Sequence, residues 1–514
     1  MTQPGEAPGL ALGERFLARD ELLARAARAA GGFAALGIGE GDAVALLLRN
    51  DLPFFEASLG AAHLGAYAVP FNWHATVHEI AYLLRDCGAR VLIGHADLLA
   101  RLHEAIPKDV AVFAVETPAE LRAAYGLDEA GCRLRQGMTE WRAWLSDQPA
   151  WQGAPPATAE SIIYTSGTTG KPKGVRRQRP TPEQLVPIDG MRRQIYGMKP
   201  GIRALLPGPL YHSAPNGFGL RAARIGERLV LMPRFDPEEL LRLVERHRID
   251  TLLMVPTMFV RLLKLPEAVR RRYDLSSLRF VIHAAAPCPV EVKRAMIDWW
   301  GPIINEFYGG TESGAISFCT SAEWLAHPGT VGRLVEGAAV RILDDDGRPC
   351  PVGVPGEVFM RLGYYPDFTY QGQPEKRREI ERDGLITLGD VGYLDAENYL
   401  YLCDRKRDMA IIGGTNIYPA EIEAVLVGMP GVRDCAVFGI PDADYGEVLM
   451  AVVEPQPDST LDPLQVDLYL RNYFTGFKLP RRIEIRIDLP REDSGKIFKR
   501  RLRAPYWEKV GRAI

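Results

Sequence analysis

The residues Ile162-Ile163-Tyr164-Thr165-Ser166-Gly167-Thr168-Thr169-Gly170-Lys171-Pro172-Lys173-Gly174-Val175 put a strand, a Ser/Thr/Gly loop with two lysines and a second strand into one short stretch. Glycines let backbone amides turn toward an anion, hydroxyls add donors and lysines add positive charge, which together describe a phosphate cradle. A solvent-facing hairpin is the alternative for a bare SGTTG. The G-x-x-x-x-G-K-[ST] loop needs a helix directly after its lysine and a hydroxyl for magnesium. Here Lys171 is followed by Pro172 and Lys173, so that pattern fails. Gly217-Phe218-Gly219-Leu220-Arg221-Ala222 matches G-x-G-x-x-G/A loosely but follows no convincing strand, and reads as packing glycines in a helix.

Other residues could also do chemistry. Tyr308-Gly309-Gly310-Thr311-Glu312 offers an aromatic face, two glycines that permit close approach, a hydroxyl and a carboxylate, suited to stacking a base, touching a phosphate and holding magnesium. Taken alone, these residues read as a helix N-terminus capped by Thr311 or Glu312. Asp390, at the end of an apolar strand, has the place and charge to accept two hydroxyls, or to serve as a turn aspartate. His212 in PLYHSAP is one of nine histidines, and a lone histidine is ordinarily a packed or capping side chain. His74 and His78 are four apart and could share a helical face, but no further ligand pattern supports a metal there. Lys496 lies in Asp493-Ser494-Gly495-Lys496-Ile497, ahead of Lys499, Arg500, Arg501 and Arg503, which read as a solvated basic tail.

The elements that must position these residues follow from the apolar pattern. From Asp42 to Val69 an apolar strand, a turn at Arg49-Asn50-Asp51, a small-residue helix and a second strand form a βαβ unit. The alternation returns in HEIAYLLRDCGARVLIG, in ELLRLVERHRIDTLLMVP and in SLRFVIHAAAP with VEVKRAMIDWW, predicting parallel sheet covered by helices. From Thr330 to Phe359 short strands and Gly/Pro turns predict a smaller β-rich subdomain. After the charged run Asp404-Arg405-Lys406-Arg407-Asp408, a candidate linker, a helix begun by Pro419 and the segments DCAVFGI, VLMAVVEP, PLQVDLYLRNYF and RIEIRI predict a separate α+β body.

Length and composition fit this plan. The 514 residues are 47% hydrophobic and 25% charged, enough for more than one core, which excludes disorder and a small disulfide scaffold. Lys plus Arg is 62 against 65 for Asp plus Glu, so nothing calls for nucleic acid and any anion must be held locally. The seven cysteines are scattered, odd in number and nowhere form C-x-x-C, pointing to a reducing cytoplasm. The early apolar stretch is broken by Arg49, Asn50 and Asp51, so no membrane span and no cleaved signal are expected.

YTSGTTGKPKG, PLYHSAP at 209–215, FYGGTE at 307–312, TLGDVGYLD at 387–395, DRKRDMAIIGGTNIYPAEIE at 404–423 and PREDSGKIFKRRLR at 490–503 together resemble, in order, the motifs of the adenylate-forming superfamily of acyl- and aryl-CoA synthetases, luciferases and peptide-synthetase adenylation domains. The resemblance implies an α/β fold: residues 1–404 form a large domain with parallel sheets and a β-rich subdomain, and residues 405–514 a small mobile α+β domain. It implies that a carboxylate attacks ATP to give an acyl-adenylate, and that the CoA thiol then takes the acyl group.

Residue by residue, the resemblance assigns Thr165, Ser166, Gly167, Thr168, Thr169, Gly170 and Lys173 to the phosphates, Ala284, Ala285, Ala286 and Tyr308 to adenine, and Gly309 to the nucleotide. Asp390 falls at the ribose, Arg405 at the nucleotide, Thr311 at the α-phosphate, and Glu312 with Thr165 at Mg²⁺. Lys496 bridges the carboxylate and α-phosphate, and His212 positions the acid. Tyr211, Ser213, Ala214, Asn216, Phe218, Gly309, Gly310, Gly314 and Ala315 line the acyl pocket. Arg407 is the hinge, and Gly413 and Gly414 face CoA. Ala284 stands where the family often has glycine, and Arg407 where it has Asp or Lys. The small residues, Gly310 above all, and the lack of an acidic one predict a roomy pocket for a fatty, arylalkanoic or sterol-side-chain acid rather than an amino acid. A carrier-protein thiol, a catalytically silent nucleotide-binding relative and a homodimer all stay open.

Overall fold

The computed structural model describes residues 7–102, 105–154, 160–165, 172–491 and 497–508. Two parallel sheets form the bulk of the large domain. The smaller has the order Tyr67–Pro70, Ala43–Leu47, Val91–His95, Ala111–Val115, Thr139–Glu140, and its central strands are fully buried, and apolar but for His95, because helices cover both faces. Its helices carry local signals: Thr76 and Glu79 form a capping box at the start of Val77–Cys87, and Gly88, with φ 64°, ends it.

The larger sheet has fourteen strands. Strands Arg228–Leu231, Arg203–Leu206, Thr251–Met254, Phe280–His283 and Ile304–Gly310 run parallel. The sheet then turns antiparallel at Gly314–Cys319 and continues through Thr330–Leu334, Tyr399–Arg405, Leu385–Leu394, Gly356–Leu362 and Ala338–Leu343. The β-rich region is therefore continuous with the parallel half, and the residues on that seam are Tyr308–Gly314. In open parallel sheets ligands bind beyond the carboxyl ends of the strands. Here those ends deliver the His212 loop after Leu206, Ala284–Ala286 after His283, and the 311–313 turn after Gly310.

A three-stranded sheet, Phe368–Tyr370, Lys173–Arg177 and Ile163–Thr165, leans over that edge. The last hundred residues form a body with its own cores: the hairpin Ala410–Ile412/Thr415–Ile417, a sheet of Val432–Asp442, Gly446–Pro455 and Arg482–Ile485, and helices Pro419–Val427, Pro463–Leu470 and Lys499–Glu508.

Four expectations are corrected. Thr311 and Glu312 sit in a β-hairpin turn, not at a helix N-terminus. Asp390 lies within the strand Leu385–Leu394 rather than in a turn. His74 precedes the helix that holds His78, because Thr76 caps it, so the two share no helical face. Lys499 is no solvated tail residue: its ammonium donates to Glu423 at 2.8 Å, tying the last helix to Pro419–Val427. Among the described residues, no helix is long and apolar enough to cross a membrane.

Candidate active site

A cavity of about 3070 Å³ opens at the carboxyl edge of the large sheet and runs on between the large domain and the C-terminal body. That is several times an ordinary ligand pocket, so it is an interdomain cleft with more than one compartment. Thr165, Lys173, Ala284, Ala285, Ala286, Tyr308, Gly309, Thr311, Glu312, Asp390 and Arg405 all line it. Tyr211, His212, Ser213, Ala214, Asn216, Gly310, Gly314, Ala315 and Arg407 do so as well. Phe218 does not: it is fully buried in the core, its ring 6.4 Å from that of Tyr196. Gly413 and Gly414 also lie off the cavity, in the turn of the 410–417 hairpin at φ 55° and 80°. Ser166, Gly167, Thr168, Thr169, Gly170 and Lys496 lie outside the described residues, but their neighbours Thr165, Pro172, Arg491 and Ile497 line the cavity.

At one end, the Tyr308 hydroxyl donates to Asp390 Oδ2 at 2.8 Å, and Arg405, paired with Asp390 across two strands, approaches Oδ1 at 3.3 Å. Burial and then the Asp390 charge push the Tyr308 phenol up, so it stays a donor. A carboxylate has about four acceptor positions, which leaves Asp390 able to accept further hydroxyls. Ala285 has φ 75°, a left-handed conformation that favours glycine. The sequence reading named Ala284 as the departure from glycine, whereas the positive φ falls one residue later.

In the centre, Glu312 Oε1 accepts from the Tyr370 hydroxyl at 3.1 Å and from Thr165 Oγ1 at 3.4 Å. The buried Lys173 ammonium lies 5.0 Å from the Tyr370 ring, and burial lowers its pKa. The turn itself is clamped by Arg177, whose guanidinium donates to the carbonyls of Thr311 (2.6 Å), Glu312 (2.9 Å) and Pro366 (2.5 Å). Arg177 stacks 4.2 Å over Tyr365, whose hydroxyl donates to Glu160 at 2.9 Å. Glu160 is also reached by Arg192 at 3.1 Å. Burial works against the Glu160 charge, but Arg192 and Arg177 outweigh it and hold the carboxyl below the usual range. None of Glu160, Arg177, Arg192, Tyr365 and Tyr370 belongs to a motif. The one visible trace is the pair Arg176-Arg177 directly after GKPKGV.

The far compartment begins at the 207–212 loop. Asn50, itself buried, donates to the carbonyls of Gly208 (2.9 Å) and Met232 (3.1 Å) and accepts from Leu210 N (3.0 Å). Asn216 donates to Leu210 O at 3.0 Å, so its amide braces the loop. His212 N-caps helix Ser213–Ile225, its ring 4.5 Å from Tyr211, which in turn meets Trp73 edge-on at 4.6 Å. The glycines here answer to packing. A Cβ on Gly309 would collide with the Gly314 carbonyl, one on Gly310 with Leu388, and one on Gly314, which has φ 71°, with the Tyr365 ring. Their small size is therefore no measure of room for a substrate.

The arrangement can meet an oligophosphate with the Lys173 charge and the Thr165 hydroxyl, hold a cation beside it at Glu312, hold a diol at Asp390, and set an apolar molecule behind His212. Residues 3–364 match the AMP-binding enzyme family and residues 421–496 match the AMP-binding enzyme C-terminal domain. The chain is 33% identical over 497 residues to a feruloyl-CoA synthase of Amycolatopsis sp, covering 94% of this chain and 92% of the relative. It is 30% identical over 514 residues to a fatty acid–[acyl-carrier-protein] ligase of Streptomyces coeruleorubidus, covering 97% and 93%. The solved anthranilate CoA ligase AuaEII in complex with anthranoyl-AMP superposes with a TM-score of 0.83 at 25% identity, covering 99% and 96%.

Proposed function

This chain belongs to the AMP-binding, acyl-adenylate-forming enzymes, and from that premise we propose that it is a carboxylic acid:CoA ligase for an acid with an extended fatty, aryl or sterol-like body. The observation that carries the reading is that one cleft gathers three groups of residues: Tyr308 with Asp390, Thr165 with Lys173 and Glu312, and His212 with the helix that follows it. In the first half-reaction a substrate carboxylate oxygen attacks the α-phosphorus of ATP and the bond to pyrophosphate breaks. Both reactants are anions, so the chain's task is charge placement and alignment rather than proton abstraction. Lys173 and Lys496 supply positive charge, Thr311 meets the α-phosphate, and Asp390 fixes the ribose.

A magnesium ion would be held by Glu312, with Thr165 beside it, and would neutralise phosphate charge when bound. The donor set fits: one carboxylate with hydroxyl neighbours suits an ion that takes one or two carboxylates and completes its shell with phosphate and water. No cluster of three or more His, Cys, Asp or Glu competes for it among the described residues. In the second half-reaction the thiol adds to the acyl carbonyl and AMP leaves. By this reading the small domain turns about Arg407, taking Lys496 away and bringing Gly413 and Gly414 up. The names of the relatives support a CoA-dependent aryl or fatty reaction, and one of them leaves a carrier-protein thiol as the competing acceptor.

The test is pyrophosphate release across a panel of carboxylic acids, with AMP and free thiol followed in parallel. CoA consumed in step with AMP supports the reading. Adenylate formation without CoA consumption would move the acceptor to a carrier protein, and no pyrophosphate with any acid would leave a silent nucleotide-binding relative.

A further inference from the structure

Helix Ser213–Ile225 presents one face to the cleft from end to end: Ser213, Gly217, Leu220, Arg221 and Arg224 follow one another at helical spacing and all line the cavity. At about 1.5 Å per residue, Arg224 lies about 17 Å along the axis from Ser213. A Cβ on Gly217 would meet nothing within 4 Å, in contrast to the packed glycines around the 311–313 turn, so this glycine leaves the channel open midway. Met191 and Tyr196 line the same cleft and add apolar surface to it.

The end of this channel carries unbalanced charge. Arg221 pairs with Asp189, and Arg192 with Glu160 at 3.1 Å. Asp189 is shared with Arg193 at 2.7 Å, and Glu160 with Arg177 and Tyr365. Both carboxylates are thus spoken for. Arg224, half-buried, makes no ion pair or hydrogen bond among the described residues. Burial, then Arg192 and Arg221, push its guanidinium down to about 10, and the neighbouring His63 is pushed down by burial and by Arg224. An uncompensated guanidinium facing other cations is costly unless something anionic reaches it, and a carboxylate matches its two-pronged donor geometry.

Resting on the reading of the cleft as an acyl-activating site, we propose that Arg224 is a specificity residue for the far end of the acid, and that the preferred substrates carry a second carboxylate at the end of an elongated apolar body. The carboxylate activated at His212 and the one held by Arg224 then sit at opposite ends of one channel, with the apolar chain lying along Gly217 and Leu220. Arg221 and Arg192 keep their own carboxylates and add attraction without direct contact.

The experiment compares α,ω-dicarboxylic acids with monocarboxylic acids of equal chain length, reading kcat/KM from pyrophosphate release, in the full-length protein and in Arg224→Met and Arg224→Lys. Expected is a preference for one length of diacid, a loss of tenfold or more for that diacid in Arg224→Met, an unchanged or raised rate for the matching monoacid, and partial rescue in Arg224→Lys. Equal losses for diacid and monoacid, or no preference for a diacid in the wild type, overturn the inference while leaving acid activation standing. If no acid releases pyrophosphate, the functional reading fails instead, and calorimetric titration with the same diacids decides this site. Tighter binding to wild type than to Arg224→Met supports it, and equal or no binding overturns it. A preference for a monoacid with a distal carbonyl over any diacid would also overturn the anionic assignment.

Discussion

The 311–313 turn and the 404–408 junction are both short and polar, yet they are held in opposite ways. The turn is gripped from behind by the buried Arg177, whose own charge is balanced by Glu160 and seated on Tyr365. The junction begins strand-paired, with Arg405 against Asp390, but past that point its side-chain ties lie at the surface: Lys406 to Asp345 at 2.9 Å and to Glu357 at 3.1 Å, Arg503 to the Arg407 carbonyl at 2.8 Å, and, across the cleft, Lys264 to the carbonyls of Val432 and Arg433 at 2.8 Å. Buried, multiply bonded charges are expensive to disturb, whereas exposed ion pairs contribute about 0–1 kcal/mol each. The molecule is thus stiff where the proposed reading places charge on a phosphate and more loosely tied where it requires the small domain to turn.

The largest effect should come from Lys496, to which the proposed function gives the bridging charge. Lys496→Ala is expected to lower acyl-adenylate formation by on the order of 10²–10³ while largely sparing thioester formation from a supplied acyl-adenylate and CoA. Arg500→Ala and Arg501→Ala are the controls, since both side chains are exposed on the last helix. Lys499 cannot serve, because its loss would leave Glu423 unpaired. Burial already pushes that carboxyl up to about 7 even against the pull of Lys499. Rapid-quench measurement of each half-reaction checks this, and an equal loss in both, or an Arg500 variant as slow, would remove Lys496 from its bridging role.

Arg177→Met should come next and should test the stiff side. It withdraws two hydrogen bonds from the turn, one from the Pro366 carbonyl and one cation from Glu160, which keeps Arg192 and Tyr365. A charge-assisted bond contributes about 1.5–3 kcal/mol, so thermal unfolding should fall by a comparable amount. Adenylation should slow by about tenfold or more as Glu312 and Thr311 lose their fixed position. A variant that unfolds earlier yet adenylates at the wild-type rate would show that Arg177 serves stability alone.

How far all this was legible in the sequence follows the same division. The parallel strands and their helices were readable because fully apolar runs such as Ala43–Leu47 alternate with capped helices such as Val77–Cys87. That Thr165, Tyr308–Glu312 and Asp390 come together was readable because they lie in compact motifs, and the structure lines one cleft with them. Arg177, Glu160 and Asn50 were not. Each acts on backbone or charge more than a hundred residues away in sequence, apart from the Glu160 pair, and no local spacing encodes such a partner. Phe218 was misplaced for a related reason. The motif fixed its helix, but the face it presents depends on which neighbour fills the core, and it turned inward while Gly217 and Leu220 turned to the cleft. Gly310 misled differently: a glycine reads the same whether it spares a substrate or, as here, Leu388.

The smallest effect should come from loosening the junction. Lys264 caps the C-terminal end of helix Pro256–Leu263 and reaches across the cleft to two small-domain carbonyls. Burial lowers its pKa, with Asp434 pulling the other way, but the side chain is largely exposed, so the contact is weak in the sense of a surface pair. In the orientation described, Arg491 and Ile497, which flank the Lys496 segment, face the same cleft as Glu312, while Gly413 and Gly414 do not. Removing the tie with Lys264→Met should therefore disfavour this arrangement by about 1 kcal/mol or less, a shift of up to about fivefold. Adenylation should slow by that factor, thioester formation should hold or gain, and thermal unfolding should scarcely change, because both bodies keep their own cores. Lys264→Arg should restore the balance, since a guanidinium can also donate to two carbonyls. A fall in both half-reactions together, or a drop in unfolding temperature like that of Arg177→Met, would place Lys264 among the stiff elements and end the contrast between the two regions.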